Sequence, residues 1–193
     1  MAIRFGYQLF PASKSLSLLY TSLMSTHMID LRAAAPRDCE ALAAIHSEAW
    51  LAAYRGLLDG IELQRLISRR TPDWWRKALE RGVQIKLLEI SDQPAGYATF
   101  GTCRLDTVPC EGEIYELYLR PEYQGLGFGR HLFEVVRSEL SAYGLNGLAV
   151  QVLSDNELAS SFYEAVGGKL TAHASYKSAG KTLSLSVFTW SSE

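Results

Sequence analysis

One stretch in the second half of the chain constrains the fold most, because a strand leads directly into a glycine-rich turn and then a helix. Residues 113–119 (EIYELYL) are mainly apolar and aromatic and are predicted to form a strand. Three glycines follow at alternate positions, and residues 130–143 carry the apolar spacing of an amphipathic helix. A further strand is predicted at residues 148–153, which makes a strand–helix–strand unit with parallel strands and a right-handed crossover.

The glycine-rich turn has the properties of an anion site. Glycines allow left-handed backbone angles and leave their N–H groups uncovered. The first turn of the helix that follows offers further free N–H groups and the positive end of the helix dipole. Arg130 adds a positive charge beside them. The sequence therefore predicts a site for a phosphate or a pyrophosphate.

Three kinds of anion-binding loop can be compared with this turn. A P-loop ends in Gly-Lys-Ser/Thr, whereas this chain has Arg130 and His131 after the last glycine. A dinucleotide-binding loop has the spacing Gly-x-Gly-x-x-Gly, whereas the glycines here are spaced Gly-x-Gly-x-Gly. The pattern Gln-x-x-Gly-x-Gly fits Gln124, Gly127 and Gly129 without adjustment.

Through this last pattern the chain resembles the GNAT superfamily of acyl-CoA-dependent N-acetyltransferases, in which the motif wraps the pyrophosphate of coenzyme A. A second segment, Asn156-x-x-Ala159-x-x-Phe162-Tyr163-x-x-x-Gly167, is similar to the family's next motif, the helix beside the cofactor arm. The resemblance extends over residues 28–190. One departure is Gly167-Gly168, where the family commonly has Gly-Phe.

The resemblance implies an α/β (α+β) fold, in which a mixed, mostly antiparallel central sheet has helices on both faces. It implies acetyl-CoA as the acetyl donor. Backbone groups of Leu117 and Leu119 would pair with the pantetheine amides, and Asn156 would bond the same arm. The full set of cofactor-binding residues implied is Leu117, Tyr118, Leu119, Gln124, Gly125, Leu126, Gly127, Phe128, Gly129, Arg130, Asn156 and Phe162.

The resemblance also implies an acid and a base. Tyr163 would give a proton to the leaving thiolate. Glu113 lies eleven residues before Gln124, the offset of the general-base glutamate in members that acetylate histone lysines. Glu116 is the rival base, although alternation puts it on the other face of a regular strand unless a bulge intervenes. A water relay is the third option, since an amine that is mostly ammonium must lose a proton before it can attack.

The rest of the chain is consistent with a single domain, which begins with a strand and helices and continues with strands and further helices. Residues 1–27 are expected to be a poorly ordered N-terminal extension, with 28–193 as the N-acetyltransferase domain. Translation could begin at Met24 or Met28, and a weak targeting signal is the alternative for this extension. Predicted strands lie at 29–33, 83–90, 95–104 and 183–190, and helical segments at 38–56, 61–67, 71–79 and 156–166.

Composition narrows the partners. The chain of 193 residues carries 19 Lys and Arg against 21 Asp and Glu, and this balance excludes binding to nucleic acid by bulk positive charge. No apolar stretch is long enough for a membrane span, so no membrane partner is expected.

Cys39, Cys103 and Cys110 are odd in number and scattered, which predicts reduced thiols in a cytoplasmic protein. The histidines have no ligand spacing, so no metal is expected. A homodimer is common in such a family, but no residue pattern indicates one.

The predicted function is transfer of an acetyl group from acetyl-CoA to a primary amine, by direct attack in a ternary complex. The acceptor stays open among polyamines, amino-acid derivatives, aminoglycosides, protein N-termini and lysine side chains. Its specificity is expected in loops at 50–75, 105–112 and 172–182, and Trp50 and Tyr54 either line its pocket or belong to a buried stripe. The rival interpretations are a non-catalytic acyl-CoA-binding or sensor module and a nucleotide-binding domain.

Overall fold

The computed structural model describes residues 29–178 and 181–191. The expectation of a poorly ordered extension over residues 1–27 concerns a part of the chain outside these ranges, as does a start at Met24 or Met28. In the described part, no helix has the length and apolar character needed to cross a membrane.

One mixed sheet forms the centre of the fold. Its strands are β1 (Ile29–Ala33), β2 (Gln84–Ile90), β3 (Gln93–Thr102), β4 (Gly112–Leu119), β5 (Leu148–Leu153), β6 (Lys169–Ser178) and β7 (Lys181–Trp190). They follow the order β1-β2-β3-β4-β5-β7-β6. The β4–β5 pair is parallel and the other neighbours are antiparallel, which confirms the predicted mixed and mostly antiparallel sheet.

Helices cover both faces of the sheet. They are α1 (Cys39–Tyr54), α2 (Gly60–Ile67), α3 (Pro72–Glu80), α4 (Phe128–Ala142) and α5 (Glu157–Ala165). Their starts follow local chemistry. The Asp59 carboxylate accepts from the first N–H groups of α2, and the Thr71 hydroxyl accepts from Trp74 N–H in α3, with Pro72 at the first helical position. The predicted start at residues 71–73 is therefore confirmed.

Two hydrophobic layers result, one on each face. On one face, Trp75 of α3 and Leu42 of α1 pack with Tyr97 of β3. On the other face, Phe133 of α4 packs with Ala98, the next residue of β3. Tyr97 and Ala98 therefore mark the two faces, because neighbouring residues of a strand point in opposite directions.

The prediction of a loop at residues 172–182 was wrong, because residues 172–178 belong to β6. A register shift between Leu170 and Ala172 breaks the alternation that would identify a strand. This strand lies at the edge of the sheet, and both Leu170 and Tyr176 are half exposed. An edge strand with small and exposed side chains has a weak apolar pattern.

The Gly167-Gly168 departure has a structural cause in Trp190. A Cβ atom on Gly168 would lie 2.6 Å from Cζ2 of Trp190 and 2.8 Å from the carbonyl oxygen of Tyr163. The indole N–H of Trp190 donates to the carbonyl of Val166 at 2.9 Å. The indole thus fills the space beside Gly168 and ties the end of α5 to β7.

Candidate active site

A cleft opens where β4 and β5 separate. The two strands pair only from Gly112 to Ile114, opposite Leu148 to Val150. Among the described strands, none pairs with the β5-facing edge of β4 beyond Ile114. The lining of the cleft combines β4, β5, α1 and α5. Its residues are Ala53, Tyr54, Tyr115, Glu116, Leu117, Tyr118, Val150, Gln151, Val152, Asn156, Ala159, Phe162 and Tyr163.

A bulge in β4 decides where the two candidate glutamates point. Glu116 pairs with Thr99, and Ile114 pairs with Phe100, so Tyr115 is an extra residue. Glu113 is then opposite Gly101, two positions along β3 from Thr99. Glu113 and Glu116 therefore lie on the same face of the sheet, which is also the face of Tyr97. Alternation would separate them only in a regular strand, and the bulge named above as the exception to this argument is present.

Glu116 lines the cleft and is held by two donors. Nη2 of Arg70 lies 2.7 Å from Oε1, and the hydroxyl of Tyr97 donates to Oε2 at 3.0 Å. The Arg70 guanidinium also stacks on the ring of Trp74, at 3.8 Å from its centroid. The carboxylate thus stands at the cleft wall with both oxygens oriented.

Glu113 has a different environment. Its side chain is 1% exposed and does not line the cleft. Arg104 surrounds it, with the backbone N–H at 2.9 Å, Nε at 3.1 Å and Nη2 at 2.7 Å from its oxygens. Gln151, which does line the cleft, lies 3.5 Å away. Glu113 is therefore a buried ion-pair partner one layer behind the cleft wall.

Tyr163 lies across the cleft from β4, on α5. It packs against the rings of Phe133, Phe188 and Trp190, and burial raises the pKa of its phenol. A buried phenol of this kind keeps its proton at neutral pH.

Two further tyrosines belong to the cleft wall. The hydroxyl oxygens of Tyr54 and Tyr118 lie 3.0 Å apart. Trp50 packs edge-on against Tyr54, with the ring centroids 4.8 Å apart. Of the two residues, Tyr54 lines the cleft, whereas Trp50 is not part of the lining.

The glycine-rich turn leads from β4 into α4. Gly125 and Gly127 have φ values of 76° and 89°, in the left-handed region that favours glycine. The first bond of the helical i→i−4 type runs from His131 N–H to the carbonyl of Gly127. The N–H groups of Phe128, Gly129 and Arg130 precede it, as expected for the first turn of a helix.

Side chains around the turn fix its position. Nε2 of Gln124 donates to the carbonyl of Leu119 at 3.0 Å, which ties the turn to the end of β4. Arg130 donates to the carbonyl of Ala165 at the end of α5. A Cβ atom on Gly129 would lie 3.1 Å from the Leu119 side chain and 3.5 Å from Phe162. Glycine at this position lets the first turn of α4 approach β4 and α5 closely.

Asn156 is the N-cap of α5 and also belongs to the cleft lining. Its Oδ1 accepts from Ala159 N–H and caps α5, and the residue is buried in the cleft lining. The cap fixes this side chain at the start of α5, beside the cleft.

The sequence pattern did not identify several residues of the site. Arg70, Tyr97 and Arg104 hold the two glutamates, and His46 contacts Tyr97. None of them belongs to a local motif. Only the register of β3 on β4 and the packing of α1 bring them to this cleft.

A comparison with protein families agrees with this geometry. The model of the family described as "Acetyltransferase (GNAT) family" matches residues 39–168, which include the glycine-rich turn and α5. The chain belongs to the GNAT acetyltransferase family. The predicted family and fold are thereby confirmed, and the protein is an acetyltransferase.

Relatives and neighbours support the assignment at different levels. The uncharacterized N-acetyltransferase YuaI of Bacillus subtilis is 28% identical over 156 residues, which cover 81% of this chain and 89% of YuaI. A GCN5-related N-acetyltransferase structure from Rhodopseudomonas palustris has a TM-score of 0.69 at 21% identity, covering 85% of this chain and 96% of that one. The PaiA N-acetyltransferase of Thermoplasma acidophilum, solved in complex with coenzyme A, has a TM-score of 0.65 at 18% identity, with 82% and 97% covered. The two structures support the fold.

Proposed function

We propose that this acetyltransferase moves an acetyl group from acetyl-CoA to a primary amine, by direct attack within a ternary complex. The observation that carries the proposal is the shared cleft, because Glu116 on β4 and Tyr163 on α5 both line it. A base and an acid on two walls of one cleft suit a reaction that takes a proton from an amine and gives one to a thiolate.

The residues present fit the donor. The N–H groups of the turn from Gln124 to Arg130, with glycines in the left-handed region, suit a pyrophosphate. Backbone groups of Leu117 and Leu119 lie on the separated edge of β4, which suits the amides of a pantetheine arm. The Asn156 amide nitrogen would add a donor to the same arm. When bound, acetyl-CoA supplies the thioester that the amine attacks.

Glu116 is the better candidate for the base. It lines the cleft, whereas Glu113 is 1% exposed and surrounded by Arg104. Glu116 would remove a proton from the acceptor ammonium, directly or through a water, so that the free amine can attack the carbonyl carbon. Glu113 stays the alternative base, acting through a water, because it lies on the same face of β4.

Tyr163 is proposed as the acid. As the carbon–sulfur bond breaks, the electron pair passes to sulfur and the phenol gives the thiolate its proton. Burial raises the pKa of Tyr163, so the proton is present at neutral pH. The attacking nitrogen loses its second proton to solvent as the amide forms. Solvent then returns a proton to Tyr163 and takes the one held by Glu116, so that one proton is released per turnover.

Calorimetric titration of the purified chain with acetyl-CoA, with NAD and ATP as controls, tests the donor site. Thiol release is then followed with a panel of amines: a polyamine, amino-acid derivatives, an aminoglycoside, and peptides with a free N-terminus or a lysine. We expect binding of acetyl-CoA alone and turnover with at least one amine. Binding of NAD or ATP in place of acetyl-CoA would overturn the proposal. Binding of acetyl-CoA without thiol release from any class would favour a non-catalytic module.

Two matched variants separate the candidate bases. Glu116→Gln is expected to lower kcat at least a hundredfold with an unchanged Kd for acetyl-CoA, as loss of a general base does. Glu113→Gln is expected to affect stability more than kcat. The reverse result would assign the base to Glu113.

The cellular location and the assembly of the protein are also part of the proposal. Cys39, Cys103 and Cys110 are free thiols in the structure, in keeping with the proposed reducing cytoplasm. Assembly as a homodimer, which the family resemblance allows, is tested by light scattering on the purified chain.

A further inference from the structure

We propose that His46 and Tyr97 are positioning residues for the general base, and that they act as a one-way hydrogen-bond chain ending on Glu116. The chain runs from Nδ1 of His46 to the Tyr97 hydroxyl, 2.8 Å away, and from this hydroxyl to Oε2 of Glu116 at 3.0 Å. This inference rests on the proposed role of Glu116 and adds to it two residues that the family motifs do not contain.

The proton direction along this chain follows from the chemistry of its end. An ionised carboxylate only accepts hydrogen bonds, so the Tyr97 hydroxyl must donate to Glu116. The Tyr97 oxygen is then free to accept, and the partner within reach is Nδ1 of His46. His46 therefore carries its proton on Nδ1, with Nε2 unprotonated. Burial lowers the pKa of His46 to about 3, so the imidazole is neutral at physiological pH.

The surrounding aromatic residues hold the His46–Tyr97–Glu116 hydrogen-bond chain in one arrangement. His46 and Tyr97 are 1% and 0% exposed. Trp75 packs against both rings, with its centroid 5.0 Å from that of Tyr97 and 6.2 Å from that of His46. Trp50 also packs against the imidazole, with the ring centroids 4.9 Å apart. Neither ring can turn without moving this aromatic cluster, so the Tyr97 oxygen stays within hydrogen-bond distance of Glu116.

The chain orients the base and does not relay its proton. Nδ1 of His46 already holds a hydrogen, so it cannot take the one that Glu116 removes from the amine. That proton stays on Glu116 until solvent accepts it. The second oxygen of Glu116 is held by Arg70, whose side chain is 29% exposed, so Tyr97 is the more rigid of the two supports. Without the chain, the carboxylate would depend on a more mobile partner.

The charges around Glu116 determine how a pH profile must be interpreted. Arg70 faces it from the segment between α2 and α3, and Arg104 contributes from the end of β3. The hydroxyls of Tyr54, Tyr97 and Tyr118 face it from α1, β3 and β4. Both arginines are retained in the variants below, so a change in the profile reports on the hydrogen-bond chain.

The test uses the full-length polypeptide with the amine that gives the fastest thiol release in the panel above. Tyr97→Phe removes the donor to Glu116. We expect kcat to fall about tenfold, since a hydrogen bond to a charged group is lost, with an unchanged Kd for acetyl-CoA. The acidic limb of kcat/KM should move to higher pH, because a hydrogen bond to a carboxylate favours its ionised form.

Two substitutions of His46 form a matched pair. His46→Leu removes the donor to Tyr97, and we expect a change in the same direction as Tyr97→Phe but smaller. His46→Asn keeps an N–H donor near the Nδ1 position and should restore most of kcat and of the pH profile. Equal loss in both variants, with no movement of the acidic limb, would overturn the inference.

Trp75→Phe is the packing control. It perturbs the rings beside His46 and Tyr97, but Trp75 Nε1 has no hydrogen-bond partner among the described residues. It should lower stability and leave the pH profile in place. If Trp75→Phe and Tyr97→Phe gave the same profile, the chain would have only a packing role.

Glu116→Gln distinguishes failure of this inference from failure of the proposed function. Full activity of Glu116→Gln would show that Glu116 is not the general base. The positioning role of His46 and Tyr97 would then be overturned as well. An inactive Glu116→Gln with a wild-type Tyr97→Phe would overturn the positioning role alone. Nitrogen-15 spectra of histidine-labelled protein test the proton direction without any acceptor, with His46 assigned by loss of its signals in His46→Asn. An Nδ1–H tautomer is expected, and an Nε2–H tautomer would overturn the inference.

Discussion

Arg70 and Glu116 form an ion pair at the cleft wall, with Nη2 and Oε1 2.7 Å apart, although 46 positions separate them in the chain. Arg70 is the last residue before Thr71, which caps α3, and it stacks on Trp74 in the first turn of that helix. The start of α3 therefore sets where this charge stands. Because Glu116 is the proposed base, Arg70 controls both the position of its carboxylate and the charge beside it.

Replacement of this arginine should affect stability modestly and the pH profile clearly. Arg70→Gln is expected to lower the free energy of unfolding by about 1 kcal/mol, since it removes a partly exposed ion pair and a stacked cation. The acidic limb of kcat/KM should move to higher pH, because a nearby positive charge favours the carboxylate. Urea unfolding and a pH–rate profile measure the two effects. Arg69→Gln, at the exposed neighbouring position, is the control, and an equal shift there would contradict the assignment.

Tyr163 should matter for turnover and not for donor affinity. Tyr163→Phe keeps the ring packed against Phe133, Phe188 and Trp190 but removes the phenol proton. We expect kcat to fall about a hundredfold, the lower end for loss of a general acid, with an unchanged Kd for acetyl-CoA. Steady-state kinetics and calorimetry test this. Tyr143→Phe, at an exposed tyrosine after α4, should behave as wild type. Equal losses of kcat and affinity in Tyr163→Phe would argue against an acid.

Gly127 in the glycine-rich turn and Gly144 after the end of α4 form a matched pair, because both have left-handed backbone angles. Gly127 and Gly144 have φ values of 89° and 76°, and an added Cβ would meet nothing within 4 Å at either position. Alanine at each should cost about 1 kcal/mol of stability, because the left-handed region disfavours a side chain. Only Gly127→Ala should also weaken acetyl-CoA binding, as measured by calorimetry. An unchanged Kd in Gly127→Ala would remove the pyrophosphate assignment.

Local sequence patterns predicted much of the fold and the elements that carry the donor site and the proposed acid. The glycine-rich turn, the Asn156 cap and the position of Tyr163 on its helix all depend on residues close in sequence. The bulge at Tyr115 could not be predicted, because it is defined by the pairing of β4 with β3. The contacts of Arg70 and Tyr97 with Glu116 depend on the same register. Long-range partners are set by packing, which a periodic pattern does not contain.

Position 168, where this chain has glycine, should not accommodate a larger side chain without loss of stability. A Cβ there would lie 2.6 Å from the Trp190 ring and 2.8 Å from a backbone oxygen, so the surroundings must shift. Gly168→Ala is expected to lower the free energy of unfolding by about 1–3 kcal/mol, as overpacking of a core does. Gly60→Ala is the matched control, since its Cβ would meet nothing within 4 Å and the residue begins α2. Urea unfolding decides, and equal midpoints for the two variants would contradict the packing argument.

His46 should give the fold a pH dependence of known sign. Burial lowers its pKa from 6.5 to about 3, so below pH 6.5 the unfolded chain binds a proton that the folded chain does not. The contribution of neutral His46 to stability is complete above pH 6.5 and is lost as the pH falls toward 3. Between pH 7 and pH 5 the wild type should lose about 2 kcal/mol through this residue, and His46→Asn should not show this loss. Urea unfolding at the two pH values measures the difference. His131→Asn, at an exposed histidine of α4, should follow the wild type, and equal slopes for His46→Asn and wild type would show that the imidazole is not held neutral by the fold.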